Sequence, residues 1–368
     1  MIRVMVVDDS ALVRKIATDI LSADPEISVV ATAAQGEFAL QKLTREQPDV
    51  ITLDIEMPGM GGLETIRQIM ALRPTPIIVL SAHAARGADL TLQALESGAV
   101  DFVLKPSNSL SGGIPAIARE LVEKVKSAAR VVVQAPPPVE RPREAPVRRE
   151  PPAEAPVVLS RVTRGECGPD DIDLVAIGTS TGGPVALKTV LTQLPEDLPV
   201  GVVVVQHMPP VFTKAFADRL DSCCKVRVKE AEDGDPILPG RVLLAPGNWH
   251  MTVTRFGGDP RVSLNQAENV NGHRPSVDVL VHSVALEYGC RAVGVIMTGM
   301  GKDGAEGMRE LRKRGGHIIA QDKDSSVIYG MNREVVQNGD ANEVVPVEAI
   351  AGRIQEKLRG RTLARKAI

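Results

Sequence analysis

Nine prolines fall between Ser127 and Asp170, interleaved with Arg and Glu and with few large apolar residues. Pro136, Pro137 and Pro138 in a row, followed by Pro142 and Pro146, remove backbone donors that helix or sheet would need. The composition reads as an extended, semi-rigid linker over 127–170, too poor in hydrophobic residues to fold alone. A PxxP-type ligand for a partner is an open second reading of the same stretch. The chain of 368 residues therefore divides into a domain over 1–126, a linker, and a domain over 171–358. A basic tail over 359–368 closes it, where Arg359, Arg361, Arg365 and Lys366 follow Lys357. That tail reads as a frayed, solvated chain end.

In the first segment short apolar runs alternate with helical patterns. Ile2–Val7, Val29–Ala31, Val50–Leu53, Ile77–Leu80 and Phe102–Leu104 suit buried parallel strands. Leu12, Ile16 and Ile20 recur at helical spacing between the first two. Five such βα units predict a five-stranded parallel α/β domain whose strand ends form one rim. The second segment begins the same way, with strands Ile172–Ile177 and Val200–Val205 around a helix Pro184–Leu194. A hairpin-rich stretch over Arg241–Leu264 and a strand Arg291–Met297 follow. A second doubly wound α/β domain is expected, of mostly parallel sheet with a β-hairpin insertion.

Asp8 and Asp9 follow the first predicted strand and Asp54 follows the third, and crossover rules put those strands side by side. Three carboxylates there repel unless a cation neutralises them, and a hard, oxygen-seeking ion such as Mg²⁺ fits. Ser81 after the fourth strand and Lys105 after the fifth add a hydroxyl and a counter-charge for a phosphoryl group. A carboxylate nucleophile there can form an acyl phosphate. Taken singly, Asp8 and Asp9 could merely cap a helix and Asp54 start a turn; their joint placement argues for chemistry.

In the second segment Ser180 stands in the loop Gly178–Pro184, at a strand-to-helix turn whose helix amides could face developing negative charge. A Walker loop would need Gly-Lys-Ser/Thr, and a dinucleotide fingerprint would need Gly at 180 and an acid ending the next strand. That strand instead ends in Gln206, His207 and Met208, which brings an imidazole beside the serine as a base. The strand Arg291–Met297 leads through Thr298, Gly299, Met300, Gly301 and Lys302 to Asp303. Asp303 can orient the imidazole, or can simply cap the helix that it opens. Ser180, His207 and Asp303 are the expected triad.

Composition excludes several other classes. Aromatics make up 2% of the chain, too few for stacking on single-stranded nucleic acid. A net charge of −3 gives no general pull toward nucleic acid or anionic lipid. No apolar stretch is long enough for a membrane span, and Asp8 and Asp9 interrupt any signal-peptide core. Cys167, Cys223, Cys224 and Cys290 lack metal spacing and read as reduced thiols of a cytoplasmic protein.

Over residues 1 to about 125 the chain resembles the response-regulator receiver family. The resemblance rests on Asp8-Asp9-Ser10, on Asp54 with Met57, Pro58, Gly59 and Gly62, on Ser81-Ala82, and on Lys105-Pro106. It implies phosphorylation at Asp54 by a histidine kinase, metal at Asp8, Asp9 and Asp54, and switch roles for Ser81 and Phe102. Phe102 could equally be core.

From about 172 to 358 the chain resembles the catalytic domain of the protein-glutamate methylesterases of bacterial chemotaxis. The matching stretches are Gly178–Pro184, Gln206–Pro209, Ala245–Gly247, Arg274–Asp278 and Thr298–Gly304. Thr179 stands where many relatives carry a smaller residue, without expected loss of chemistry. The resemblance implies hydrolysis of γ-glutamyl methyl esters on methylated chemoreceptors and deamidation of receptor glutamines, with no cofactor for the esterase. It makes Thr181 and the Met300 amide candidates for the oxyanion hole. Arg274 and Asp278 become candidates for substrate positioning, or for a structural salt bridge. A non-enzymatic receiver-linked adaptor that binds receptor tails is the alternative from another class.

Overall fold

The computed structural model describes residues 1–82, 85–105, 113–133, 172–256 and 259–366. Most of the predicted linker, including its prolines, lies outside the described residues. The first domain runs β1 (Ile2–Val7), α1 (Ala11–Ser22), β2 (Ile27–Ala33), α2 (Gly36–Glu46), β3 (Val50–Asp54), α3 (Gly61–Leu72), β4 (Ile77–Ser81), α4 (Ala85–Glu96), β5 (Asp101–Leu104) and α5 (Gly113–Ala128). The strands form one parallel sheet in the order β2-β1-β3-β4-β5. Alternating strand residues feed two apolar layers. Val4, Val6, Ile78 and Leu80 pack with Ala17, Leu21, Leu121 and Val125 from α1 and α5. Met5, Ile51, Leu53 and Val79 pack with Leu43, Ile66 and Leu92 from α2, α3 and α4. The first helix forms over the residues whose spacing predicts it; Ala17 and Leu21 are buried, Ile20 packs beside them, and Leu12 stays 68% exposed.

The second domain continues with β6 (Leu174–Thr179), α6 (Gly183–Leu191), β7 (Gly201–Gln206), α7 (Phe212–Cys223), β8 (Arg227–Glu230), β9 (Arg241–Leu244), β10 (His250–Phe256) and β11 (Asp259–Asn265). Then come α8 (Val277–Glu287), β12 (Ala292–Ile296), α9 (Ala305–Lys313), β13 (His317–Gln321), α10 (Met331–Gln337), β14 (Glu343–Val345) and α11 (Val347–Lys366). Seven strands form a parallel sheet in the order β14-β13-β12-β6-β7-β9-β8. The hairpin is narrower than expected. The predicted stretch splits, with β9 joining the main sheet and only β10 and β11 pairing as an antiparallel ribbon. The supposed frayed tail is helical to Lys366, the terminal segment continuing α11.

Among the described residues no helix is long and apolar enough to cross a membrane. Cys290 is disulfide-bonded, which corrects the expectation of reduced thiols throughout. Sequence spacing alone could not show which sulfurs approach each other. Cys167 lies outside the described residues.

The two domains meet. Phe102 of β5 is 4% exposed and its ring stacks on Phe212 at the start of α7, with centroids 4.7 Å apart. Glu96, ending α4, accepts from Lys188 of α6 at 2.7 Å and from Arg219 of α7. Burial alone would raise the Glu96 carboxyl; Arg219 and Lys188 hold it below its ordinary range. Apolar residues of α4 and of α6 and α7 share one continuous core.

Candidate functional sites

The receiver rim assembles as its sequence predicts. Asp8, Asp9 and Asp54 offer ligand oxygens that all lie within 4.8 Å of one another. Asp8 and Asp54 are buried and Asp9 is exposed. The Lys105 ammonium reaches both buried acids, at 3.0 Å from Asp8 and 2.6 Å from Asp54. Each acid also accepts one backbone amide, from Ser10 at 2.9 Å and from Glu56 at 2.9 Å. Beyond Lys105, the Oδ2 atoms of Asp8 and Asp54 have no hydrogen-bond donor. Burial, with the neighbouring Asp54 charge, raises the Asp8 carboxyl even though Lys105 opposes the shift. Burial alone would lower the Lys105 pKa, but Asp54 and Asp8 outweigh it and the ammonium is held more firmly. Crowded acids with unshared lone pairs are a donor set suited to a hard divalent cation such as Mg²⁺. Ser81 is buried, and its hydroxyl accepts from Thr91 of α4 at 2.7 Å.

In the second domain the register β6 to β7 sets Thr179 opposite Gln206, so Ser180 and His207 follow as neighbours on the rim. The His207 amide donates to the Thr179 carbonyl at 3.1 Å. Three contacts fix the serine loop: the Ser180 amide donates to Thr298 O at 3.0 Å, the Gln206 amide group donates to Ser180 O at 2.9 Å, and Thr298 Oγ1 donates to Thr181 O at 2.9 Å. Two glycines are obligatory here. Gly182 sits at φ +77° to turn the chain into α6, and a Cβ on Gly299 would come within 2.8 Å of the Ser180 Cβ.

His207 and Asp303 form the expected pair, with Nε2 2.8 Å from Oδ2. Asp303 is saturated with donors: Val277 N at 2.7 Å, Ser276 Oγ at 2.8 Å, Asn271 Nδ2 at 2.9 Å and Asp278 N at 3.3 Å. Its partners include the first amides of α8, where a helix dipole favours an anion. Burial alone would raise the Asp303 carboxyl, yet the His207, Asn271 and Ser276 hydrogen bonds hold it well below the carboxylate range. The side chain does not cap its own helix; α9 begins after Gly304 with no side-chain cap. The His207 ring is buried, and its Nδ1 has no partner. No hydrogen bond joins that nitrogen to the Ser180 hydroxyl among the described residues, so the expected chain of three is closed at one link and open at the other.

The remaining sequence candidates land differently. The Thr181 hydroxyl donates to Asp101 of the receiver at 2.5 Å, and Met300 Sδ accepts from Ser127 of α5 at 2.8 Å. Arg274 and Asp278 do not pair with each other. The Arg274 guanidinium donates to Asn248 Oδ1 at 2.6 Å and to the carbonyls of Gln266 and Ala267, tying down its own loop. Asp278 accepts from Gly307 N at 2.7 Å and from Asn271 at 2.7 Å, joining the start of α9 to the loop that braces Asp303. Sequence reasoning missed Asn271, His273, Ser276, Gln206 and Thr298. The Asn271–Gly272 pair was a legible turn signal, and Gln206, Ser276 and Thr298 stood in stretches that carry the resemblance without a role assigned to them.

Fold and sites together define a class: response regulators whose output domain is an α/β hydrolase. Family models agree, a response regulator receiver domain matching residues 4–111 and a CheB methylesterase matching residues 175–354. A protein-glutamate methylesterase/protein-glutamine glutaminase of Symbiobacterium thermophilum is 50% identical over 96% of this chain and 96% of its own length. One from Pyrococcus abyssi is 43% identical over 98% of this chain and 95% of its own. The crystal structure of the Thermotoga maritima CheB methylesterase catalytic domain, 42% identical, covers 50% of this chain and 98% of its own, with a TM-score of 0.50. The chain belongs to the protein-glutamate methylesterase/protein-glutamine glutaminase family.

Proposed function

We propose that this protein hydrolyses γ-glutamyl methyl esters on chemoreceptors, and deamidates receptor glutamines, through Ser180, His207 and Asp303. The observation that carries the assignment is the His207–Asp303 pair, whose other ring nitrogen is buried and unpartnered at a strand end that neighbours the one carrying Ser180. An unpaired polar atom in a packed site calls for a partner, and catalytic hydrogen bonds are often completed only when substrate binds. Ser180 Oγ attacks the acyl carbon while His207 Nδ1 takes its proton. Collapse of the tetrahedral adduct expels methanol, or ammonia from an amide, which leaves with the proton held by His207. Water then attacks the acyl-serine by the same base, and the γ-carboxyl and the free serine hydroxyl are regenerated. Asp303 stays ionised and stabilises the imidazolium. The Thr181 and Met300 backbone amides are our choice for stabilising the oxyanion.

The receiver is the control element. Asp8, Asp9 and Asp54 would hold Mg²⁺, which supplies positive charge for phosphoryl transfer from a histidine kinase to Asp54. Ser81 and Lys105 would receive the phosphoryl oxygens. Phe102 links this rim to the catalytic domain, since it stacks on Phe212, five residues beyond His207. Both oxyanion candidates are touched by the receiver, through Asp101 and Ser127. In this reading the unphosphorylated receiver covers the serine rim, and phosphorylation at Asp54 releases it. The protein acts in the cytoplasm, where the kinase draws on ATP.

Covalent labelling tests the chemistry. A fluorophosphonate probe should modify Ser180, as located by peptide mass spectrometry, faster after phosphorylation and not in His207→Gln. Equal labelling of His207→Gln, or a label on another residue, would remove the assignment.

A further inference from the structure

One imidazole near the proposed triad has no part in the chemistry described above. His273 lies face to face with His207, ring centroids 3.8 Å apart and planes 12° from parallel. It is delivered by a tight turn. Val270 and His273 exchange backbone hydrogen bonds at 3.1 and 2.9 Å across Asn271 and Gly272, both in the left-handed region at φ 54° and 82°. That Asn-Gly pair suits a turn with two left-handed central residues. The turn is anchored on both sides. Asn271 donates to Asp303 and Asp278, and Arg274 clamps Asn248 and the 266–267 carbonyls. One rigid corner therefore braces the acid with an amide and covers the base with a flat ring.

Three charged or titratable groups act on His273: His207 against its face, Asp303 beyond that ring, and Lys124 of the receiver helix α5. Burial, with His207 beside it, pushes the His273 pKa down to about 4, so at neutral pH the covering ring is uncharged. A neutral ring can lie against an imidazole that becomes cationic during turnover; a second cation there would repel it.

We infer that His273 is a positioning residue for hydrolysis, holding the His207 ring in the plane in which Nε2 meets Asp303 and Nδ1 is presented to Ser180. This rests on the triad proposed above and adds to it a part that touches no substrate atom. Without the stacked ring, His207 keeps one hydrogen bond but gains freedom to rotate about its side-chain bonds. A displacement of about an ångström at a reacting atom lowers rate by roughly 100-fold. The loss should fall on kcat, since no substrate contact is removed.

The test compares full-length His273→Ala and His273→Phe with wild type in methanol release from methylated receptor membranes, and includes Ser180→Ala in parallel. The expected result is kcat lowered about 10- to 100-fold in His273→Ala with KM within about twofold, and recovery to within about threefold of wild type in His273→Phe. Circular dichroism and Tm establish that each variant is folded. If His273→Ala does not fold, a folded His273→Phe with near wild-type kcat supports the inference and one with kcat lost overturns it. A folded His273→Ala with unchanged kcat overturns it too, as does a change in KM alone or equal loss in both variants. Ser180→Ala separates the two claims: if it is inactive while His273→Ala is unimpaired, the positioning role fails and the triad stands. If Ser180→Ala is active, the triad itself fails.

Discussion

Asp54 and Asp303 are both 1% exposed and both stand at the carboxyl rim of a parallel sheet, yet they are furnished in opposite ways. Asp303 receives five hydrogen bonds, one of them from His207, and every donor belongs to its own domain. Asp54 receives one amide and one ammonium, with Asp8 and Asp9 crowded against it. The saturated acid has no lone pair to spare, so it can orient a neighbour but neither bind nor attack. The crowded one keeps an oxygen undersupplied, which suits the metal and phosphoryl acceptor proposed for it. Burial alone does not distinguish the two roles; the donor census does.

Isosteric amides break the comparison most sharply. Asp303→Asn should lower esterase kcat by about 10³- to 10⁴-fold, since the amide stabilises the wrong imidazole protonation state. It should also lower Tm, because an amide nitrogen at 303 opposes buried donors and each unsatisfied one costs about 1–3 kcal/mol. Steady-state kinetics and thermal melts of the one variant check both. Asp54→Asn should do neither. It removes one of several like charges around Lys105, so Tm should hold or rise by an amount equivalent to no more than about 1 kcal/mol. What should vanish is all stimulation by a small-molecule phosphodonor, measured as the ratio of esterase rates with and without it. A Tm loss in Asp54→Asn as large as that in Asp303→Asn would void the distinction.

Asp8→Asn should weaken that stimulation without removing the phosphorylation site, and raising Mg²⁺ should recover it, as read by titrating the metal against phosphodonor-stimulated rate. The smallest effect belongs to the interdomain clamp. Glu96→Gln leaves Lys188 and Arg219 without their acid, and partly exposed ion pairs are worth about 0–1 kcal/mol each. Unstimulated turnover should rise by about two- to tenfold while the phosphodonor-stimulated rate stays put. An unchanged unstimulated rate would show that the clamp does not hold the receiver down.

Much of this was legible in the chain before any coordinates. Asp8, Asp9, Asp54, Ser81 and Lys105 declared a rim because each directly follows or ends a short apolar run, and strand order then had to bring them together. The same logic on the second sheet put Ser180 and His207 on neighbouring strand ends and brought Asp303 to His207, as the structure places them. Where the logic stopped is equally physical. Leu12 shares the helical spacing of Ile16 and Ile20 yet stays exposed, because periodicity alone does not fix how far round the helix the sheet reaches. Thr181 and Met300 were read for their place beside the nucleophile, whereas their side chains answer to Asp101 and Ser127, 80 and 173 residues away. Contacts at that separation leave no local period. The Asn271–Gly272 turn was readable as a turn, but nothing in its spelling says that it ends on the face of His207.

The most direct measurement is methanol release from methylated receptor membranes by wild type and Ser180→Ala, each with and without a phosphodonor. The account predicts release by wild type, faster with the phosphodonor, and a loss of about 10⁴-fold or more in Ser180→Ala under both conditions. Release by Ser180→Ala at a rate near wild type would contradict it.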